Sequence, residues 1–91
     1  MNFDSGDSRF YKNDENENLI CEINYFVDGS GMIVIESTFV NDDYRGQGIA
    51  AQLVDRVVEM AREENKKIVP LCPFAKGMLE RNRSLYADVM S

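Results

Sequence analysis

The sequence contains no histidine and no tryptophan, and it has only two cysteines, Cys21 and Cys72. The missing histidine removes Cys/His zinc sites and every histidine-based catalytic triad. Two cysteines cannot hold a metal by themselves, so no metal site is expected. No secretory segment is apparent, which argues against a structural disulfide; both cysteines read as free thiols. Long hydrophobic runs are also missing. The longest aliphatic run in a strand-like stretch is Met32-Ile33-Val34-Ile35, far short of the ~20 residues a membrane span needs. Met1 to Ser8 is polar, carries two aspartates and has no signal-peptide apolar region. These absences lead us to expect a cytoplasmic protein that is not embedded in a membrane.

Basic charge is scarce and unevenly placed. Ten Lys and Arg face 16 Asp and Glu, for a net charge of −6, which sets general nucleic-acid binding aside. Residues 1–44 hold two basic and ten acidic residues, whereas residues 45–91 hold eight basic and six acidic. The second half is therefore where an anionic ligand is better tolerated. An acidic first half could attract a cation, although acidity that simply keeps a small domain soluble is the simpler reading.

What remains has a globular balance: 91 residues, 44% hydrophobic and 29% charged. That length predicts one domain spanning 1–91, with Met1 to Ser8 frayed. Arg9 to Lys12 reads as a short strand, followed by a polar turn at Asn13 to Asn18. In Leu19 to Val27, alternation puts Leu19, Cys21, Ile23, Tyr25 and Val27 on one face, with Glu22 and Asn24 on the other. Asp28-Gly29-Ser30-Gly31 is a hairpin signal. Met32 to Val40 is the return strand, with Ile33, Ile35 and Phe39 expected on one face and Met32, Val34 and Val40 on the other. From Ile49 the period changes to three and four, through Leu53, Val54, Val57, Val58 and Ala61, predicting an amphipathic helix that stops at Asn65. Ile68 to Leu71 reads as a further strand, and Pro73 opens a second helix running to about Leu79 or Glu80. In the tail, Leu85, Tyr86 and Val89 are expected to pack down. The order β-β-β-α-β-α predicts an α+β fold: a mainly antiparallel sheet with one parallel pair closed by a right-handed βαβ crossover, helices packed on it.

The stretch Tyr44-Arg45-Gly46-Gln47-Gly48-Ile49-Ala50-Ala51 joins a strand to a helix. Backbone N–H groups are unpaired at such a junction, two glycines let the chain approach a ligand, and the helix N-terminus favours negative charge. A phosphate or pyrophosphate suits it, with Arg45 as an added charge. No Gly-Lys-Ser/Thr follows, so it is not a P-loop. Gly46, Gly48 and Ala51 match the dinucleotide fingerprint literally, but no acidic residue closes the next strand, which ends Leu71-Cys72-Pro73.

The remaining match is Arg-x-x-Gly-x-Ala, at Arg45, Gly48 and Ala50. Here the chain resembles the GCN5-related N-acetyltransferases, and among them the small single-domain members that keep only the cofactor-binding half of the fold. The resemblance rests on Thr38-Phe39-Val40 at a strand end, the loop from Arg45 to Ala50, Pro70-Leu71-Cys72-Pro73-Phe74, and Arg81-Asn82, in order over about residues 9 to 90. One departure is Ser37, where the small family commonly has histidine just before the threonine.

The resemblance implies acetyl-coenzyme A as cofactor, held by Thr38, Phe39, Val40, Arg45, Gly46, Gln47, Gly48, Ile49 and Ala50. It implies an unidentified amine as acceptor, and a monomer or homodimer. It also implies Cys72 as candidate nucleophile, passing through acetyl-Cys72. A thiol at a helix N-terminus has a lowered pKa, yet a cysteine is equally a small packed side chain. Direct attack by the amine is the rival route, with Glu36 or water as base. Tyr86 could be the acid for the departing thiol, although packing is the simpler reading. Lys76, Arg81 and Arg83 could reach a 3′-phosphate, or be plain surface. Two other functions stay open: a non-catalytic acyl-coenzyme A binding module, and a thiol-reactive protein acting through Cys72.

Overall fold

The computed structural model describes all residues, 1–91. Its strands are β1 (Asp4–Gly6), β2 (Arg9–Asn13), β3 (Leu19–Val27), β4 (Ile33–Val40) and β5 (Ile68–Pro70). Its helices are α1 (Ile49–Glu64), α2 (Pro73–Arg81) and the short α3 (Arg83–Tyr86), with 3-10 turns at Asp42–Tyr44 and Ala87–Val89. The strands lie side by side in chain order. The first four pair antiparallel, and β4 pairs β5 in parallel. This is the expected α+β arrangement with one extra strand.

That strand is β1, which replaces the frayed end expected for Met1 to Ser8. Asp4-Ser5-Gly6 has no strand propensity of its own. It is held by pairing with Tyr11, Phe10 and Arg9, while Phe3 packs on the core and the Met1 ammonium donates to Gln52 Oε1 at 2.8 Å.

Helix α1 forms where the three-and-four period predicted it and buries Ile49, Leu53, Val54, Val57, Val58 and Ala61. It ends at Asn65, whose φ of 55° is the left-handed conformation that asparagine tolerates. Helix α2 begins on Pro73, whose fixed φ and missing N–H suit the first helical position. The apolar faces of both helices join Phe10, Cys21, Ile23, Ile33, Ile35 and Ile68 in one core. Val34 lies outside that cluster, on the other side of the sheet. One face of the sheet thus carries the helices, and the other carries a polar row in which Asn24 Nδ2 donates to Glu22 Oε1 and Ser37 Oγ. Cys21 and Cys72 are free and buried.

Three side-chain expectations need correction. At the start of β3 a register shift leaves Ile20 unpaired with β2, and Ile20 rather than Leu19 joins the core. Phe39 does not share the face of Ile33 and Ile35; it is 44% exposed. In the β3–β4 register Asn24 opposes Ser37 and Tyr25 opposes Ile35, leaving Glu36 without a partner. This β-bulge inserts one residue and reverses the alternation beyond it, so Val40 packs inward and Phe39 turns out. In the tail Tyr86 and Val89 are buried as expected, but Leu85 is 60% exposed. Tyr86 takes the inward position on α3, and its hydroxyl donates to Asp55 Oδ1 on α1 at 2.6 Å.

Candidate active site

Strand β4 leads through the Asp42–Tyr44 turn and Arg45 into the glycine turn and α1. Asn41 caps the 3-10 turn by accepting from Asp43 N at 3.0 Å. Gly46 and Gly48 then take φ of 82° and 75°, the left-handed region that only glycine enters without strain. The chain reverses there, and α1 starts from Gly48 with no capping side chain. No backbone acceptor pairs with the N–H groups of Gly46, Gln47, Gly48, Ile49, Ala50 or Ala51. Six successive donors without a backbone partner, with the positive end of a four-turn helix behind them, are chemically suited to an anion. Arg45 adds charge nearby; its Nε donates to Val40 O at 3.3 Å and lies 3.0 Å from Asp42 Oδ1.

This turn borders a cleft of about 350 Å³ lined by Thr38, Val40, Tyr44, Arg45, Gly46, Gly48, Ile49, Ala50, Ala51 and Phe74. One end is polar backbone and the walls are mostly apolar, as suits a ligand with an anionic head and a long neutral arm.

At the other end, β4 and β5 part. Their pairing stops at Ile35 and Pro70. Ile35 O then accepts from both Leu71 N at 3.0 Å and Cys72 N at 3.1 Å, so β5 finishes against a single carbonyl while β4 runs on. Cys72 is only 5% exposed, and its Sγ lies 3.5 Å from Thr38 Oγ1. Burial pushes the thiol up, but the Thr38 hydroxyl and the backbone N–H groups of Ala75 and Phe74 outweigh it, holding Cys72 below the usual thiol range. Cys21 shows the opposite balance. Burial dominates and raises it.

The model of the GCN5-related N-acetyltransferase family matches residues 9–89. The chain belongs to this family. Among solved structures it is 44% identical to a GCN5-like N-acetyltransferase candidate from Staphylococcus aureus determined by NMR, with a TM-score of 0.79, covering 99% of this chain and 87% of that one. A candidate acetyl transferase from Pyrococcus furiosus is 26% identical with a TM-score of 0.60, over 81% of this chain and 56% of that one. The ribosomal-protein-alanine N-acetyltransferase from Brucella melitensis biovar Abortus 2308 shares the fold, with a TM-score of 0.58 at 24% identity, over 91% of this chain and 59% of that one. The chain thus spans little more than half of these two larger acetyltransferases. No curated protein matches it.

In this GCN5-related acetyltransferase the residues singled out from sequence do not all meet at one place. Thr38, Val40, Arg45, Gly46, Gly48, Ile49 and Ala50 line the cleft, and Cys72 stands behind Thr38. Gln47 contributes an unpaired N–H to the turn without lining the cleft. Phe39 and Glu36 do not line it; both are exposed. Tyr86 is likewise absent from the cleft, being engaged with Asp55. Lys76 and Arg83 border a separate hollow beside β5. Tyr44, Ala51 and Phe74 are lining residues that the motif left out. Ala51 follows Ala50 at a position that Arg-x-x-Gly-x-Ala does not include, and Phe74 was visible only as an aromatic following the cysteine.

Proposed function

We propose that this GCN5-related protein binds acetyl-coenzyme A in the cleft and transfers its acetyl group to an amine, with Cys72 as the first acceptor. The observation that carries this reading is the run of unpaired N–H groups from Gly46 to Ala51, opening onto an apolar cleft that reaches Thr38, the hydroxyl partner of Cys72. The site fits the coenzyme. A Cβ at Gly46 or Gly48 would meet nothing within 4 Å, so the cradle is open and its donors are free to hold a pyrophosphate. The free edge of β4 from Thr38 to Val40 suits the neutral arm, with Phe39 contributing through its backbone.

Bound acetyl-coenzyme A supplies an activated acetyl thioester. Cys72 Sγ, as thiolate, would take the acetyl group at its carbonyl carbon, forming the Cys72 thioester as the bond to the coenzyme sulfur breaks and the released coenzyme thiol takes its proton from solvent. Acetyl-Cys72 is then attacked by a neutral amine. The C–S bond breaks, the amide forms, Cys72 returns as thiolate, and the amine's surplus proton passes to water or a carboxylate. Direct attack of the amine on the bound thioester, with water as base, is the alternative for the same site, since the sequence-based candidate Glu36 is exposed and outside the cleft.

Native mass spectrometry with acetyl-coenzyme A, followed by denatured intact mass, tests this. The expected result is one bound coenzyme and an added acetyl group that disappears in Cys72→Ala, with binding kept and turnover reduced at least about a hundredfold. Unchanged turnover in Cys72→Ala removes the acetyl-Cys72 route and leaves direct attack. Absence of bound coenzyme sinks the whole reading and turns attention to a thiol-reactive role for Cys72.

A further inference from the structure

The chemistry proposed for Cys72 needs a thiolate, and the chain has no histidine with which to make one. The bulge in β4 brings a different group to the sulfur. Plain two-residue alternation from the buried Ile35 would place Ser37 on the helix-covered face. The unpaired Glu36 shifts that position to Thr38. Hydrogen bonds on the two faces agree: Ser37 Oγ accepts from Asn24 on the polar row, and Thr38 Oγ1 stands 3.5 Å from Cys72 Sγ. Ile35 O, immediately before the bulge, also accepts from Cys72 N at 3.1 Å. The bulged strand therefore holds Cys72 at both its backbone and its sulfur.

No charge takes part in this arrangement. The elements around Cys72 carry Glu36 on β4, Lys76, Glu80 and Arg81 on α2, and Asp55, Arg56, Glu59, Arg62, Glu63 and Glu64 on α1, while β5 carries no charged residue. None of these acts on the thiol, whose partners are a hydroxyl and backbone dipoles. The N–H groups of Phe74 and Ala75 at the start of α2 also favour the thiolate, and Thr38 is the side chain within bonding distance of Sγ.

We infer that Thr38 is the positioning residue of Cys72, turning its hydroxyl proton toward Sγ when the thiol ionises, and that the β4 bulge is what aims it there. The catalytic meaning of this assignment rests on the reading of Cys72 as acetyl acceptor. The state of the thiol is measurable without that reading.

The experiment is alkylation of the full chain by iodoacetamide, without coenzyme, from about pH 5.5 to 10, with Cys72 and Cys21 followed separately by peptide mass. Thr38→Val keeps the shape and removes the hydroxyl. It is expected to slow Cys72 alkylation at pH 7 roughly tenfold and to move its titration up by about one pH unit. Thr38→Ser is expected to restore both. Because the partners are neutral, the wild-type rate is expected to stay within about twofold between about 0.05 and 1 M salt. A Thr38→Val profile matching wild type overturns the inference, as does a serine variant that fails to recover, or a steep salt dependence that reveals a charged partner. Cys21, wholly buried on β3, reports folding in the same spectra. Should Thr38→Val label Cys21, Thr38→Ala is read in its place by the same criteria. Coenzyme binding is titrated separately by native mass spectrometry. Its absence would sink the acetyltransferase reading and leave the Thr38 result standing, and the reverse holds equally.

Discussion

Gly48 shows how much one residue contributes to the site. Its φ of 75° is costly for any residue with a Cβ, yet nothing stands within 4 Å of where that Cβ would lie. A substitution there fails through backbone conformation, by about 1–2 kcal/mol for a residue forced into the left-handed region, rather than through a clash. Gly48→Val should therefore leave the core intact while reorienting the unpaired N–H groups of the turn. We expect acetyl-coenzyme A affinity to fall at least about tenfold, with a near-native far-UV spectrum, by isothermal titration and circular dichroism. Unchanged affinity would remove the glycine turn from the binding site. This part of the site was legible in the sequence because a strand-to-helix junction with two glycines has few uses. Cys72 was legible only as an even choice. Its partner Thr38 is 34 positions away, and no local pattern states that the two side chains meet.

Among the elements, α1 and α2 were readable from periodicity, an asparagine stop and a proline start. These are local signals, and the structure follows them closely. Strand β1 was not readable, since Asp4-Ser5-Gly6 becomes a strand through its neighbour rather than its composition. The bulge in β4 was hidden for a related reason: Ile35-Glu36-Ser37-Thr38-Phe39 reads as ordinary alternation, and the extra residue shows only against β3. Helix α3 illustrates how a weak element is secured. Only four residues long, it depends on the Tyr86 hydroxyl bonded to Asp55 and on Arg62, whose Nε and Nη2 reach Asp88 at 2.8 and 3.2 Å. Tyr86→Phe should cost about 1 kcal/mol, or roughly 4–8 °C in Tm for a chain of this size, measured by thermal unfolding. Burial, then the bond to Asp55, pushes the Tyr86 phenol up to about 12 from an ordinary 10. The neutral form is thus favoured in the folded state. Its stabilisation is complete below pH 10 and is lost as pH rises through about 12, a step that Tyr86→Phe should lack.

At the scale of the whole molecule, the acidic balance sets the response to pH. Asp14, Glu22, Asp28 and Asp88 are all held below their ordinary values. The largest cause is a backbone N–H for Asp14, Arg9 for Glu22, Ser30 for Asp28 and Arg62 for Asp88. Groups depressed in the folded state stabilise it above their unfolded values, and the contribution fades as pH falls through the folded ones. Denaturant midpoints are therefore expected to be flat from about pH 6 to 8 and to decline below about pH 4.5. Solubility should also be lowest there, since the isoelectric point is near 4.5. A midpoint that rises on acidification would contradict this assignment. Composition made the acidity plain, but the pairing of Glu22 with Arg9 across β2 and β3 required the sheet register.

The unpaired Glu36 has one further consequence, for changes in chain length rather than in side chains. Elsewhere in a paired strand, deleting a residue turns a regular alternation into a faulty one. Deleting Glu36 would do the reverse and restore a regular β3–β4 ladder, in which Ser37 stays on the outer face and Thr38, now two residues after Ile35, stays on the inner one. The result would be a tidier sheet that still presents Thr38 to Cys72. Shortening the strand at this point is thus the one single-residue deletion in β4 expected to keep both the fold and the facing of Thr38 and Cys72.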